Sequence, residues 1–235
     1  MPKKQKIRLD QLLVQNNLVE SRSKAQALIM AGKVFVGKDK IDKAGTLVSD
    51  DAEISITQDM PYVGRGGLKL EKAIQEFKLT VTDMVCLDVG ASTGGFTDCL
   101  LQNGAKKVFC VDVGYGQLHY KLRNDERVIN FERENFRHFD ISKITDPIDL
   151  VVMDVSFISV KKLIPKIIEI LNNKKKLLPT RRPLDPSTLI FLIKPQFEAG
   201  PDKVGKGGIV RDEAVREEVV RDISEFLINK GFKNL

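Results

Sequence analysis

Met84-Val-Cys-Leu-Asp-Val-Gly-Ala-Ser-Thr-Gly-Gly-Phe-Thr97 is the stretch on which the reading of this chain turns. An apolar run leads into Asp88, and a glycine-rich turn through Gly90, Gly94 and Gly95 then opens a helix. The pattern predicts a buried strand, a tight loop and a helix N-terminus, where bare glycines and free N–H groups let a nucleotide-like ligand come close. The order G-x-x-x-G-G is not the G-x-G-x-x-G of dinucleotide sites, and Asp88 stands immediately before the loop. A carboxylate there attracts an ammonium group and repels a pyrophosphate. The loop therefore points to a methyl donor, S-adenosylmethionine, rather than to NAD. Asp88, Gly90, Ser92, Thr93, Gly94, Gly95 and Phe96 are its candidate contacts.

From residue 84 onward the chain alternates between short apolar runs and helical periodicity. Strands are expected at 84–88, 107–112, 128–131, 149–154 and 188–194, and helices at 94–103, 159–171 and 212–230. An earlier helix follows Gly64-Arg-Gly-Gly67 and carries Leu70, Ile74 and Phe77 on one face. Such alternation predicts a doubly wound, Rossmann-like α/β sheet whose ligands lie at the carboxyl ends of its strands. Asp112 ends the second strand, 24 residues after Asp88, where a carboxylate can accept hydrogen bonds from a ribose. Asp140, in the loop after the third strand, is a candidate for the adenine amino group, with an exposed loop aspartate as the equal alternative. Asp154 and Lys194 end the fourth and fifth strands. A lysine closing a buried strand needs a partner, because its ammonium is costly to desolvate. Asp154 is the obvious one, and Lys69 can bring a second cation.

The 235 residues suffice for one large and one small domain, at 1–60 and 61–235. Hydrophobic content of 42% and charged content of 30% are ordinary for a globular protein. No apolar run approaches the ~20 residues of a membrane span, and no apolar stretch follows the lysine-rich start as a secretory signal would require. Cys86, Cys99 and Cys110 form no C-x-x-C pair, which suits buried reduced thiols in a cytoplasmic protein. His119 and His138 lack ligand-spaced partners, so no metal is expected. The net charge of +6 is confined to residues 1–45, with 10 Lys+Arg against 4 Asp+Glu. That asymmetry predicts a polyanion-binding module on a near-neutral body.

The basic segment has its own order. Leu9, Leu12 and Leu13 share a helical face. Ser21 or Ser23 can cap a second helix carrying Ala25, Leu28 and Ile29, and Gly32 ends it. Short strands follow at 33–36 and around Val48, Ile54 and Ile56. Ile7-Arg-Leu-Asp-Gln-Leu-Leu13, Ser21-Arg-Ser-Lys-Ala-Gln-Ala-Leu-Ile29, Gly32-Lys-Val-Phe-Val36 and Lys43-Ala-Gly45 together resemble the S4 RNA-binding module. The resemblance implies a small α+β domain in which Arg8, Arg22, Lys24 and Lys33 meet RNA phosphates. A basic module that binds a protein or merely aids solubility is the alternative.

A second resemblance spans almost the whole chain. Tyr62-Val-Gly-Arg-Gly-Gly-Leu-Lys69, the Asp88–Thr97 loop, Glu132-Arg-Glu-Asn135, Asp154-Val-Ser-Phe-Ile-Ser159, Lys194-Pro-Gln-Phe-Glu-Ala-Gly200 and Gly207-Gly-Ile-Val-Arg-Asp212 are similar to the TlyA family. Its members join an S4 module to a methyltransferase domain like that of the FtsJ/RrmJ enzymes, and many carry the name haemolysin. The resemblance implies S-adenosylmethionine-dependent methylation of a ribose 2′-hydroxyl in ribosomal RNA. It further implies a Lys-Asp-Lys-Glu tetrad, whose first three members match Lys69, Asp154 and Lys194. The glutamate belongs to strands after the last helix, and the sequence ends at Leu235 before reaching them, so a sheet short of those strands is expected. The basic stretch from Asn172 to Ser187 is longer than the family pattern and reads as a solvated loop. In the expected mechanism Lys194 takes the hydroxyl proton, Lys69 favours proton loss from it by repulsion, and Asp154 orients it. Three rival readings are a ribosome-binding factor without catalysis, a lytic or pore-forming protein, and an NAD-linked oxidoreductase.

Overall fold

The computed structural model describes residues 6–57, 60–177 and 187–233. The chain divides into two compact units, Met1–Met60 and Pro61–Leu235.

The first unit runs β1 (Lys6–Arg8), α1 (Leu9–Gln15), α2 (Arg22–Met30), β2 (Val34–Val36), β3 (Asp39–Ile41), β4 (Leu47–Ser49) and β5 (Ile54–Ile56). The leucines at i, i+3 and i+4 of α1 are all buried, and with Ala25 and Ile29 of α2, Val34 and Val48 they form the core. Ser21 caps α2, its hydroxyl accepting the Lys24 N–H at 3.3 Å. β2 pairs antiparallel with β3 and β5, and β1 pairs antiparallel with β4.

In the second unit α3 (Gly66–Glu76) precedes β6 (Val85–Val89), α4 (Gly95–Gln102), β7 (Lys107–Val111), α5 (Tyr120–Arg123) and β8 (Val128–Phe131). Then come β9 (Leu150–Met153), α6 (Ile164–Leu177), β10 (Thr188–Phe191), α7 (Pro195–Glu198) and α8 (Glu213–Asn229). The five strands lie in the order β10-β9-β6-β7-β8, all parallel. Alternation along each strand feeds two cores. Leu87, Phe109, Val151 and Met153 face α6 and α8, packing on Ile164, Ile167, Ile223 and Leu227. Cys86, Val108, Cys110, Leu150 and Val152 face Leu70, Ile74, Cys99, Leu100 and Leu122 of α3, α4 and α5. Burial on both faces is why these strands read as continuous apolar runs.

From β6 the chain moves outward to β7 and β8, then returns to lay β9 on the other side of β6. The order in which strands are added therefore reverses between β6 and β9, which run parallel, and a crevice opens beyond their carboxyl ends.

Several expectations need adjusting. Phe77 is 67% exposed at the end of α3 and does not share the buried face of Leu70 and Ile74. The helix expected at 159–171 begins as a 3₁₀ turn at Val160–Lys162, and α6 runs on to Leu177, so the first residues of the expected loop are helical. The rest of that loop, 178–186, lies outside the described residues. The final strand ends at Phe191, Leu192 N–H still donating to Met153 O at 3.0 Å, and Pro195 then opens α7. Among the described residues no helix is long and apolar enough to cross a membrane. All three cysteines are free and buried.

Candidate active site

Asp154 follows β9 and Gly90 follows β6, so both stand at the reversal point, and Asp154 N–H donates to Val89 O at 3.2 Å. Two cavities open there, of about 540 Å³ and about 490 Å³, and Gly90, Ser92, Asp154 and Ser156 line both.

The larger cavity brings together three residues that lie far apart in sequence. Lys69 Nζ is 2.9 Å from Asp154 Oδ2, and Lys194 Nζ is 2.6 Å from Asp154 Oδ1. Lys194 also donates to Ser156 Oγ at 2.8 Å. Lys69 reaches the site from α3, and Lys194 stands immediately before the short helix α7. Burial alone would raise the Asp154 pKa, but the ammonium groups of Lys194 and Lys69 outweigh it and hold the carboxyl below its ordinary value. Glu198, one turn beyond Lys194, accepts the Ser159 hydroxyl at 2.6 Å and the Val160 N–H at 2.8 Å. That clamp ties the segment after β9 to the segment after β10.

The glycine loop forms the floor. Gly90, Ser92, Thr93, Gly95 and Phe96 all line the larger cavity, with Arg65 and Gly66 from the run before α3. Gly94 lines neither cavity. It has φ +93°, and an added Cβ would stand 2.2 Å from Leu122 Cδ1. A Cβ on Gly95 would lie 2.9 Å from Gly67 N and 3.1 Å from Gly64 O. These two glycines thus serve contacts within the protein, as well as any approach of a ligand.

Asp112 lines the smaller cavity, its carboxylate accepting Ser92 N–H at 2.8 Å and Gly114 N–H at 2.7 Å. A carboxylate offers about four acceptor positions, so two remain for a ribose diol. Val113, Asn135, Phe136, Ile158 and Leu163 supply a largely apolar wall of the kind a purine needs. Asn135 and Phe136 were not singled out from the sequence, although the Glu132–Asn135 motif contains the first of them. Asp140 lines neither cavity; its Oδ1 caps a 3₁₀ turn by accepting the Ser142 N–H and hydroxyl.

Asp88 is also placed differently from the expectation. It is 1% exposed beneath the loop and lines neither cavity. Oδ2 accepts the Thr97 hydroxyl at 2.7 Å, and Oδ1 is buried without a hydrogen-bond partner among the described residues. Burial pushes its pKa up to about 7. A carboxyl raised in the folded state favours folding fully below its unfolded value of about 4, and that favour is lost as pH rises through about 7. Asp88→Asn lacks this dependence. Thermal unfolding of parent and variant between pH 5 and 8 is expected to show the difference in Tm moving by several degrees in favour of the variant as pH rises. A difference constant with pH would refute the assignment.

Comparison with known proteins agrees with this architecture. Residues 62–235 match the FtsJ-like methyltransferase family, and residues 7–54 match the S4 domain. Hemolysin A of Brachyspira hyodysenteriae is 45% identical over 230 residues, covering 97% of this chain and 91% of that one. The 16S/23S rRNA (cytidine-2′-O)-methyltransferase TlyA of Mycobacterium tuberculosis is 41% identical over 215 residues, covering 91% of this chain and 76% of that one. A solved Streptococcus thermophilus protein described as a hemolysin is 41% identical with a TM-score of 0.67, covering 95% of this chain and 78% of that one. With a reversal-point cavity, a glycine loop and an S4 module in one sequence, the chain belongs to the TlyA family of FtsJ-like methyltransferases.

Proposed function

We propose that the chain transfers a methyl group from S-adenosylmethionine to the 2′-hydroxyl of a cytidine in ribosomal RNA, with the S4 unit docking the RNA. The observation that carries this reading is the Lys69–Asp154–Lys194 cluster at the mouth of a cavity floored by the glycine loop. Asp112 suits the ribose of the donor and the Asn135–Phe136 wall suits its adenine, so the residues present fit S-adenosylmethionine. Bound there, it supplies a sulfonium-activated methyl group, which needs no metal.

The remaining work falls to the protein. A ribose hydroxyl is a weak acid and attacks faster as its proton leaves. Lys194 Nζ donates to Ser156 Oγ and stands 2.6 Å from Asp154 Oδ1, and from that place it takes the proton of the incoming hydroxyl. Asp154 holds that amine in place through its charge. Lys69, held on the other Asp154 oxygen, supplies positive charge beside the oxygen as it becomes anionic. In-line alignment of hydroxyl and methyl contributes the rest of the rate gain.

At the rim of the smaller cavity stands Phe157, 91% exposed, with φ +65° and its ring 5.2 Å from that of Phe197. A bulky residue held outside favoured backbone space, and in water, is a platform for a nucleobase; stacking of this type is worth about 1–3 kcal/mol per base. Phe157→Ala is expected to raise KM for RNA roughly tenfold, a larger loss than any in S-adenosylmethionine affinity, which a kinetic titration against each substrate checks.

Transfer of labelled methyl from S-adenosylmethionine to unmodified ribosomal subunits tests the function itself. Label mapping to a cytidine ribose supports it. Label on a base, or none on either subunit, overturns it.

A further inference from the structure

In the S4 unit a carboxylate is buried where the fold has no evident need of one. Asp10, in the first turn of α1, is 0% exposed. Such a group is costly to bury unless its oxygens are satisfied. Here they take four donors. Arg8 forks onto it, Nε to Oδ1 and Nη2 to Oδ2, both at 3.0 Å. Arg22 Nε reaches the same Oδ2 at 2.9 Å from the first turn of α2, and Gln26 Nε2 reaches it at 3.0 Å one turn further on. The carboxyl is held far below its ordinary pKa, first by the Arg8 hydrogen bonds, so it stays charged.

Two guanidinium groups therefore touch one oxygen, although alone they would repel each other. Their outer edges remain available, with Arg8 41% and Arg22 50% exposed along the side chain. Arg22 is bound through Nε only, which leaves both its Nη groups, and Arg8 keeps Nη1, without a partner among the described residues. Behind Arg8 the chain comes so close that a Cβ on Gly45 would stand 3.0 Å from Nη1 and 3.4 Å from Cζ. The Lys43–Gly45 turn and Asp10 thus hold this arginine from two sides. The cluster keeps one net positive charge, and each long side chain has lost its rotamer freedom before any ligand arrives.

We propose that Asp10 is a positioning residue for RNA docking, fixing Arg8 and Arg22 as one two-guanidinium seat for a single backbone phosphate. The proposal rests on the RNA-docking reading above and adds to it. Planar forks held at a set spacing select a phosphate at a set place, which a mobile cationic tail cannot do.

Simple charge counting predicts the opposite result to positioning, and that makes the test sharp. Asp10→Asn removes a negative charge from a basic surface, so a purely electrostatic surface would bind every RNA more tightly. Positioning predicts about tenfold weaker binding of the full chain to unmodified ribosomal subunits, with affinity for polyuridylate equal or higher. Arg22→Lys keeps the charge and the fold but loses the fork, and the same loss on subunits is expected. It decides the matter if the Asp10 variant does not fold. Parent-like or tighter binding of subunits by either folded variant would overturn the proposal. Failure of the parent chain to bind either subunit would instead strike the RNA-docking reading itself, so the two failures are distinguishable.

Discussion

Lys194→Ala is expected to lower methyl transfer by roughly 10²–10⁴-fold, the usual range for loss of a general base, with S-adenosylmethionine affinity within about twofold of the parent. The geometry supports so large an effect with so little loss of binding. Lys194 lines the larger cavity, and its partners among the described residues are Asp154 and Ser156. Removing it leaves Asp112, the Asn135–Phe136 wall and the loop intact. Asp154 also keeps Lys69, so no carboxylate is stranded without a cation. Lys194→Arg separates proton transfer from charge. A guanidinium can replace the ion pair but does not give up its proton at working pH. If the lysine accepts the proton, Arg falls nearly as far as Ala. Single-turnover rates at saturating S-adenosylmethionine, with calorimetric affinity for the cofactor, measure both quantities. Equal losses of rate and affinity, or an active Arg variant, would refute the proton-accepting role.

What the sequence revealed of this site follows from how its parts are encoded. The parallel strands were legible because both faces are buried: Val85 to Val89 and Leu150 to Met153 are almost wholly enclosed and read as apolar runs. Asp154 and Lys194 stood out as charges at the ends of such runs, and the structure brings them together with Lys69. The failures share a physical cause. Asp88 and Asp140 were judged by sequence position, but side-chain direction decides their fate. Alternation along β6 turns Asp88 toward the α3–α4 core, and a 3₁₀ turn claims Asp140 for its own N–H groups. Ser156 and Asn135 stand in loops and Glu198 ends the four-residue helix α7, none of them in a segment long enough to show periodicity, so only their motifs could flag them. β1 and β3 are three residues each, too short for alternation to show. Nothing local in the sequence announces that residues 8, 22 and 26 converge on Asp10.

Gly94→Ala carries the largest expected cost in stability, and its reasons can be separated by a second glycine. Gly94 sits at φ +93°, ψ 24° before the first turn of α4, a conformation in which an L side chain is strained by about 1–2 kcal/mol. An alanine Cβ there would also stand 2.2 Å from Leu122 Cδ1 and 2.8 Å from Leu118 Cδ1. Those leucines are 1% and 4% exposed and have no empty direction to turn, so overpacking adds about 1–3 kcal/mol. Gly116 is the control. It has φ +70° but nothing within 4 Å of an added Cβ, so Gly116→Ala bears the backbone strain alone. At roughly 2–4 °C per kcal/mol for a domain of this size, Gly94→Ala should lower Tm by about 4–20 °C and Gly116→Ala by about 2–8 °C. Leu122→Ala in the Gly94→Ala background opens space where the new methyl collides. It should therefore cost less than it does in the parent, the non-additivity expected of residues in contact. Additive losses would mean that the loop moves away from α5 rather than pressing on it, and that the cavity floor yields more readily than the packing around Gly94 and Gly95 indicates.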